Sequence, residues 1–157
     1  MTDLDPHVRT RLAELLPELD LRNNELPPEG PLVPVHKHVQ LAVMLKELGY
    51  TLYVTVVATH FPHEGGGEHF EVATVLRRPR RDGGIIQWRV RLEEGEAIPT
   101  LFPLFAGADW QEREQFDLVG VQFAGHPDLR RLMMPEDWEG HPLRKEYAIE
   151  TPHPPWR

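Results

Sequence analysis

Three stretches in the middle of the chain alternate their side chains with a period of two, and each stops at a turn. YTLYVTVVATH (residues 50–60) is rich in β-branched residues. HFEVATVLRR (69–78) sets Phe70, Val72, Thr74 and Leu76 on one side, and IIQWRVRL (85–92) does the same with Ile86, Trp88, Val90 and Leu92. Successive side chains of a strand point to opposite faces, so this alternation predicts strands with one apolar face each. The Gly65–Gly67 run makes an adjacent antiparallel pair the simplest connection between the first two, and RRPRRDGG (77–84) is the next turn. Its four arginines suit a solvated loop that blunts a strand end. A sheet with one apolar face has to be covered. The flanking segments must therefore supply helices.

Both flanks do. Leu4, Val8, Leu12, Leu15, Leu16 and Leu19 recur at helical spacing and predict a helix over 6–20, with Pro17 weakening its last turn. NNELPPEGPLVP reads as an extended connector with a short edge strand near Val33–Val35. A second helix is predicted over His36–Leu48, with Val39, Ala42, Val43 and Leu45 or Leu48 inward and Gly49 as its stop. After Pro99, ADWQEREQFDLVG predicts a third helix. Asp109 is placed as its N-cap, Glu112 completes a capping box, and Gly120 is the C-terminal residue. On it Trp110, Glu114, Asp117 and Leu118 share one stripe, and Arg113 stands four residues before Asp117 and can pair with it. Pro127, Pro135 and Pro142 then cut the chain into short pieces, with Gly125 and Gly140 at the turns. At 157 residues this is one domain. The expected architecture is α+β, a two-layer domain with a mixed β-sheet, helices on one face, and a loop-rich C-terminal docking segment. Residues 1–107 make the body, and 108–157 the signature helix and docking tail within the same domain.

Several function classes are closed off. There is no cysteine, which removes disulfides, thiol nucleophiles and thiolate ligands for zinc or iron–sulfur clusters. A formal charge of −8 argues against a nucleic-acid backbone binder. No apolar run is long enough to span a membrane, and MTDLDPHVRT lacks the basic-then-apolar pattern of a secretory signal. The expectation is a soluble cytoplasmic chain whose contact with a membrane runs through a partner.

Three chemical readings remain. His36 with His38, the group His60, His63 and His69, and the pair His126 and His141 are candidate metal ligands, although none forms an HExxH-type arrangement. Glu112, Glu114, Asp117, Glu136 and Asp137 offer carboxylates for acid–base chemistry and His126 offers a base. Yet no nucleophile elbow, phosphate loop or dinucleotide turn accompanies them. Thirdly, Trp110, Phe116, Phe123, Trp138 and Tyr147 supply aromatic anchors and Arg130, Arg131, Arg144 and Lys145 supply charged forks, a mixture that suits a protein interface. The same aromatics would serve equally to staple a loop-rich end onto the sheet.

A longer pattern weighs on that choice. Glu112-Arg113-Glu114, then Asp117-Leu118-Val119, His126, Arg130 and Leu132-Met133 fall at fixed intervals, and P-E-D-W-x-G-x-P-L-R-K runs from Pro135 to Lys145. This stretch, Trp110–Tyr147, resembles the C subunit of the proton-pumping NADH:quinone oxidoreductase, respiratory complex I. The resemblance implies a cofactor-free structural subunit of the hydrophilic arm. FMN, iron–sulfur clusters and quinone would be held by neighbouring subunits. Its partners would be the quinone-site subunit and a cluster-bearing subunit, on the cytoplasmic side of the membrane. Trp110, Glu112, Arg113, Glu114 and Asp117 would then form the helix that faces or braces the quinone-site subunit. His126 and Asp128 would fix a turn. Arg130, Arg131, Arg144 and Lys145 would pair with acids there or within the chain, and Glu136, Asp137 and Trp138 belong to the same docking loop. The doubled Gly-His-Pro at 125–127 and 140–142 would be two turns framing that loop. Related subunits serve membrane-bound hydrogenases and F420-linked complexes, which is the alternative setting.

Overall fold

The computed structural model describes residues 5–18, 29–62, 68–80 and 84–148. The three alternating stretches form β1 (Leu52–Phe61), β2 (His69–Arg77) and β3 (Ile85–Glu93), an antiparallel sheet in that order. The register carries the apolar pattern across all three strands. Ala58 pairs with Val72 and Val72 with Val90, while Val56 pairs with Thr74 and Thr74 with Trp88. Each row is buried, and Trp88 is only 1 % exposed. Truncating a side chain of that size in a filled core costs roughly 3–5 kcal/mol.

Helices cover the buried face. α1 (Pro6–Leu15) starts at Asp5, whose Oδ1 accepts the His7 N–H at 2.9 Å, with Pro6 pre-set for the first turn. It stops short of the predicted end at residue 20, because Leu16 precedes a proline and is pushed out of helical backbone. Leu4 and Leu19 lie outside the described residues. α2 (His38–Glu47) follows a 3-10 turn over Val35–Lys37 and ends at Gly49, whose φ is 92°. Its inward residues are His38, Leu41, Ala42, Met44 and Leu45. The predicted Val39 and Val43 are instead half-buried and line a groove between α1 and α2 with Leu15.

Past β3 the chain makes a second unit. β4 (Ala97–Pro99) and β5 (Gln122–Ala124) pair in parallel, and α3 (Ala108–Val119) is the crossover between them. Antiparallel and parallel pairing are thus both present, as the expected mixed β-architecture requires, the first in β1–β3 and the second in the β4–β5 pair. The outer edge of β3 takes one parallel bridge, Leu32 to Arg89, with the Val33 N–H on Arg89 O at 2.7 Å and the Arg89 N–H on Pro31 O at 2.8 Å. Val35 belongs to the 3-10 turn rather than to the predicted edge strand. Gly30 makes this approach possible: its φ is 81°, and a Cβ there would lie 2.7 Å from Gln87 O.

Candidate functional site

α3 meets the rest of the chain on three sides. On the first, Gln111 Oε1 accepts the Val56 N–H at 3.1 Å and Gln115 Oε1 accepts the Ala58 N–H at 2.9 Å. Those amides lie on the free edge of β1, so two glutamines one turn apart take the place of a further strand. On the second side, Glu112 is buried. Its Oε1 accepts the Leu101 N–H at 2.8 Å and its Oε2 the Thr100 hydroxyl. Thr100 Oγ1 in turn accepts the Phe102 N–H at 3.0 Å. Burial pushes the Glu112 carboxyl up to about 7, against the pull of Thr100 and Leu101 and with Asp109 adding to the rise.

The third side is Asp117, which has no exposure at all. Its Oδ2 accepts three successive backbone N–H groups, from Leu132, Met133 and Met134, at 2.9, 2.6 and 2.8 Å. Its Oδ1 accepts Arg131 Nη1 at 2.8 Å. Burial pushes this carboxyl upward, but the three amides and Arg131 outweigh it and hold it below the usual carboxylate range. The last carbonyls of the helix are occupied too. Asp117 O accepts His141 Nδ1–H at 2.9 Å, Leu118 O the Leu143 N–H at 2.9 Å, and Val119 O accepts Arg144 Nε–H at 2.9 Å. Gly120 allows this closure: its φ is 91°, and a Cβ would lie 2.7 Å from both Arg144 and His141.

The helix begins after Gly107 with no side-chain cap, so Asp109 is a first-turn residue and not the predicted N-cap. Glu112, accordingly, does not complete a capping box. Asp109 O accepts His126 Nε2–H at 3.3 Å, while His126 Nδ1 accepts the Asp128 N–H at 3.2 Å. Those two bonds hold the 126–128 turn against the start of α3. Arg113 does not pair with Asp117: it reaches Asp128 at 3.7 Å and donates to Arg130 O at 3.3 Å. Three amides and Arg131 from a distant segment fill Asp117 before its helical neighbour can.

Of the expected docking residues, Glu112 and Asp117 are buried and engaged inside the chain, and Arg131, half-buried, pairs within the chain with Asp117. Trp110 and Asp117 do share one helix face, but residues 130–148 fold over its C-terminal half and leave only Trp110 outside. Trp110 is 64 % exposed with the Arg113 guanidinium 5.5 Å from its ring centre. Met133 and Leu143, both positions of the family pattern, are exposed as well. Arg130, Glu136, Asp137 and Lys145 are exposed, while Glu114, Trp138 and Arg144 are half-buried.

The histidines divide among separate tasks. His38 lies in the core, its Nδ1 accepting Trp88 Nε1–H at 3.1 Å, and burial pushes it down to about 4. His36 is exposed, so the two do not form a pair. His63 lies outside the described residues. His69 stacks on Phe61. His60 Nε2 sits 3.3 Å from Glu68 and 3.3 Å from Glu146, a spacing a small cation would accept. Its Nδ1, however, accepts the Lys145 N–H at 3.3 Å, which leaves the proton on Nε2, the atom a metal would need. Arg144 already supplies positive charge, 3.6 Å from Glu146 and 4.0 Å from Glu68. The cluster works as a pin between the β1–β2 end and the C-terminal segment. The carboxylates weighed for acid–base chemistry do not converge either: Glu112 faces Thr100 and Leu101 just past β4 and Asp117 faces residues 132–134, while Glu136 and Asp137 lie in solvent.

Residues 32–153 match the family described as the respiratory-chain NADH dehydrogenase 30 kDa subunit. The chain belongs to that family. It is 32% identical over 150 residues to the C subunit of the NADH-quinone oxidoreductase of Brucella abortus (strain 2308), covering 94% of this chain and 71% of that one. A 51-residue stretch is 66% identical to the J subunit of the NAD(P)H-quinone oxidoreductase of Synechococcus sp. (strain RCC307), covering 32% of this chain and 29% of that protein. A solved structure, the trypsin-resistant fragment (1-134) of Nqo5, aligns with a TM-score of 0.58 at 28% identity, over 76% of this chain and 99% of that one. The resemblance to the C subunit of complex I and the α+β fold are thereby borne out. Among the described residues no helix is long and apolar enough to cross a membrane.

Proposed function

We propose that this member of the 30 kDa subunit family is a cofactor-free structural subunit of the hydrophilic arm of complex I. It docks on the quinone-site subunit and on a cluster-bearing subunit, at the cytoplasmic side of the membrane. Electrons pass from NADH through FMN and iron–sulfur clusters to quinone in those neighbours, and this chain holds them in place without taking part in the chemistry. The observation that carries the reading is the exposure of Trp110, Met133, Leu143 and Arg130, all within the stretch that carries the family pattern. A tryptophan left in water on a rigid helix, next to arginines, is the composition of an interface centre. The protease-resistant Nqo5 fragment supports the α+β body as a unit that stands on its own.

The test is co-purification. A tag on the N-terminus, mild detergent extraction and an assay for NADH:quinone reductase should recover activity with cluster-bearing subunits. Trp110→Ala combined with Arg130→Ala should lower that recovery about tenfold or more, as loss of an interface centre does, and leave the isolated chain folded. Recovery unchanged by the double variant would remove Trp110 and Arg130 from the interface. Co-eluting subunits without NADH activity would place the chain in a hydrogenase- or F420-linked complex instead.

A further inference from the structure

Residues 125–148 contain no helix or strand. Among the described residues the buried apolar core ends in sequence at Phe123, and beyond it only Leu129, partly buried, packs against that core. What holds this segment is polar and ends on very few groups. Leu132, Met133, Met134 and Arg131 bind the Asp117 carboxylate, and His141, Leu143 and Arg144 bind the three carbonyls that follow one another from Asp117 to Val119. Further along, the Lys145 N–H reaches His60, and Arg144 and Lys145 lie over the rings of Phe70 and Phe61. Arg131 also donates to Gly140 O at 3.0 Å, tying the two halves of the segment to each other.

We infer that residues 130–148 form a strap that releases from the α+β body as one unit, with the Asp117 carboxylate as its pin. Opening removes no residue from the buried apolar core, so it lies far below global unfolding on the free-energy scale. The carboxylate gathers three amides in a nest and one guanidinium, which makes it the point where most of the attachment is concentrated. Closed, the strap hides the last turn of α3 and presents Met133 and Leu143 outward. Open, it frees Arg131 and Arg144. In naming the strap as the part a partner orders, the inference rests on the docking reading; the release itself is a property of the chain alone.

Hydrogen exchange read by mass spectrometry or NMR on the isolated full-length chain tests it. Asp117→Asn should speed exchange about tenfold or more at Leu132, Met133 and Met134. It should do the same at Leu143 and Lys145, whose N–H groups bind Leu118 O and His60 rather than the Asp117 side chain. Val72 and Val90 in the sheet should not change. His141→Ala, made at the other end, should loosen the same five amides, and it decides the matter alone if the Asp117 variant does not fold. Loosening confined to residues near each substitution, or an equal rise in the sheet, would overturn the strap as a unit. A wild-type chain that recovers no partner subunits while the exchange pattern holds would count against docking and not against the strap.

Discussion

Glu112→Gln is the substitution whose outcome the structure specifies most closely. Glu112 is 1 % exposed and its carboxyl is pushed from 4.5 to about 7, first by burial. A folded-state value above the unfolded one means the folded chain keeps the proton longer. The stabilisation is complete below 4.5, falls as pH rises between 4.5 and about 7, and is gone above that. The gap corresponds to about 3 kcal/mol as an order of magnitude. Glutamine has nearly the shape of the protonated acid. Its oxygen can still accept the Leu101 N–H, and its NH₂ can donate to Thr100 Oγ1. Urea unfolding of both proteins from about pH 5 to about pH 8, followed by tryptophan fluorescence, gives the difference curve directly. The two should be close in stability at the acid end, with Glu112→Gln ahead by about 2–3 kcal/mol at the alkaline end. Taking the difference cancels every group the two proteins share, Asp117, His38 and His141 included. A constant offset across the range would refute the buried, protonated carboxyl.

The opposite sign belongs to Asp117, five residues further along the same helix. Its carboxyl is held low, so its contribution is present above 3.8 and lost as pH falls through the lowered folded value; exchange at residues 132–134, corrected for intrinsic rates, should rise there first. Gln115→Leu should cost about 1–3 kcal/mol by stranding the Ala58 N–H, and proton exchange at Ala58 should accelerate while Val90 stays protected. His60, Glu68 and Glu146 should take up no stoichiometric zinc when the chain is dialysed against it and weighed by native mass spectrometry. A bound ion lost in His60→Ala would mean that the Lys145 contact does not set the tautomer.

The strands were legible because period-two alternation has few alternatives once glycine or proline closes each run. Phe70, Val72, Thr74 and Leu76 are all buried as the pattern required. α2 was harder. Its sequence, HVQLAVMLKE, is apolar on nearly every side, so periodicity did not choose between Val39 with Val43 and Leu41 with Leu45. The helix signature was visible as a spacing, but its contacts were not. Glu112 answers to Thr100 and Leu101, and Asp117 to residues 132–134; neither link has any local trace. The pairing expected between Arg113 and Asp117 followed a local rule that a long-range nest overrode. Gln111 and Gln115 did leave a signal, two amides at a four-residue interval on a helix that must lie along a strand. Without the topology there was no edge to assign them to.

α3 binds a sheet edge with Gln111 and Gln115, a connector with Glu112 and the strap with Asp117, and each partner lies in a different direction around its axis. Inserting or deleting one residue between Gln115 and Asp117 would swing everything beyond it by about 100°. The strap would then meet the wrong side chain while the sheet kept the right one. The helix is in this sense a keyed shaft: substitutions on its open face are tolerable, but a change of length anywhere in its middle unlocks one end from the other.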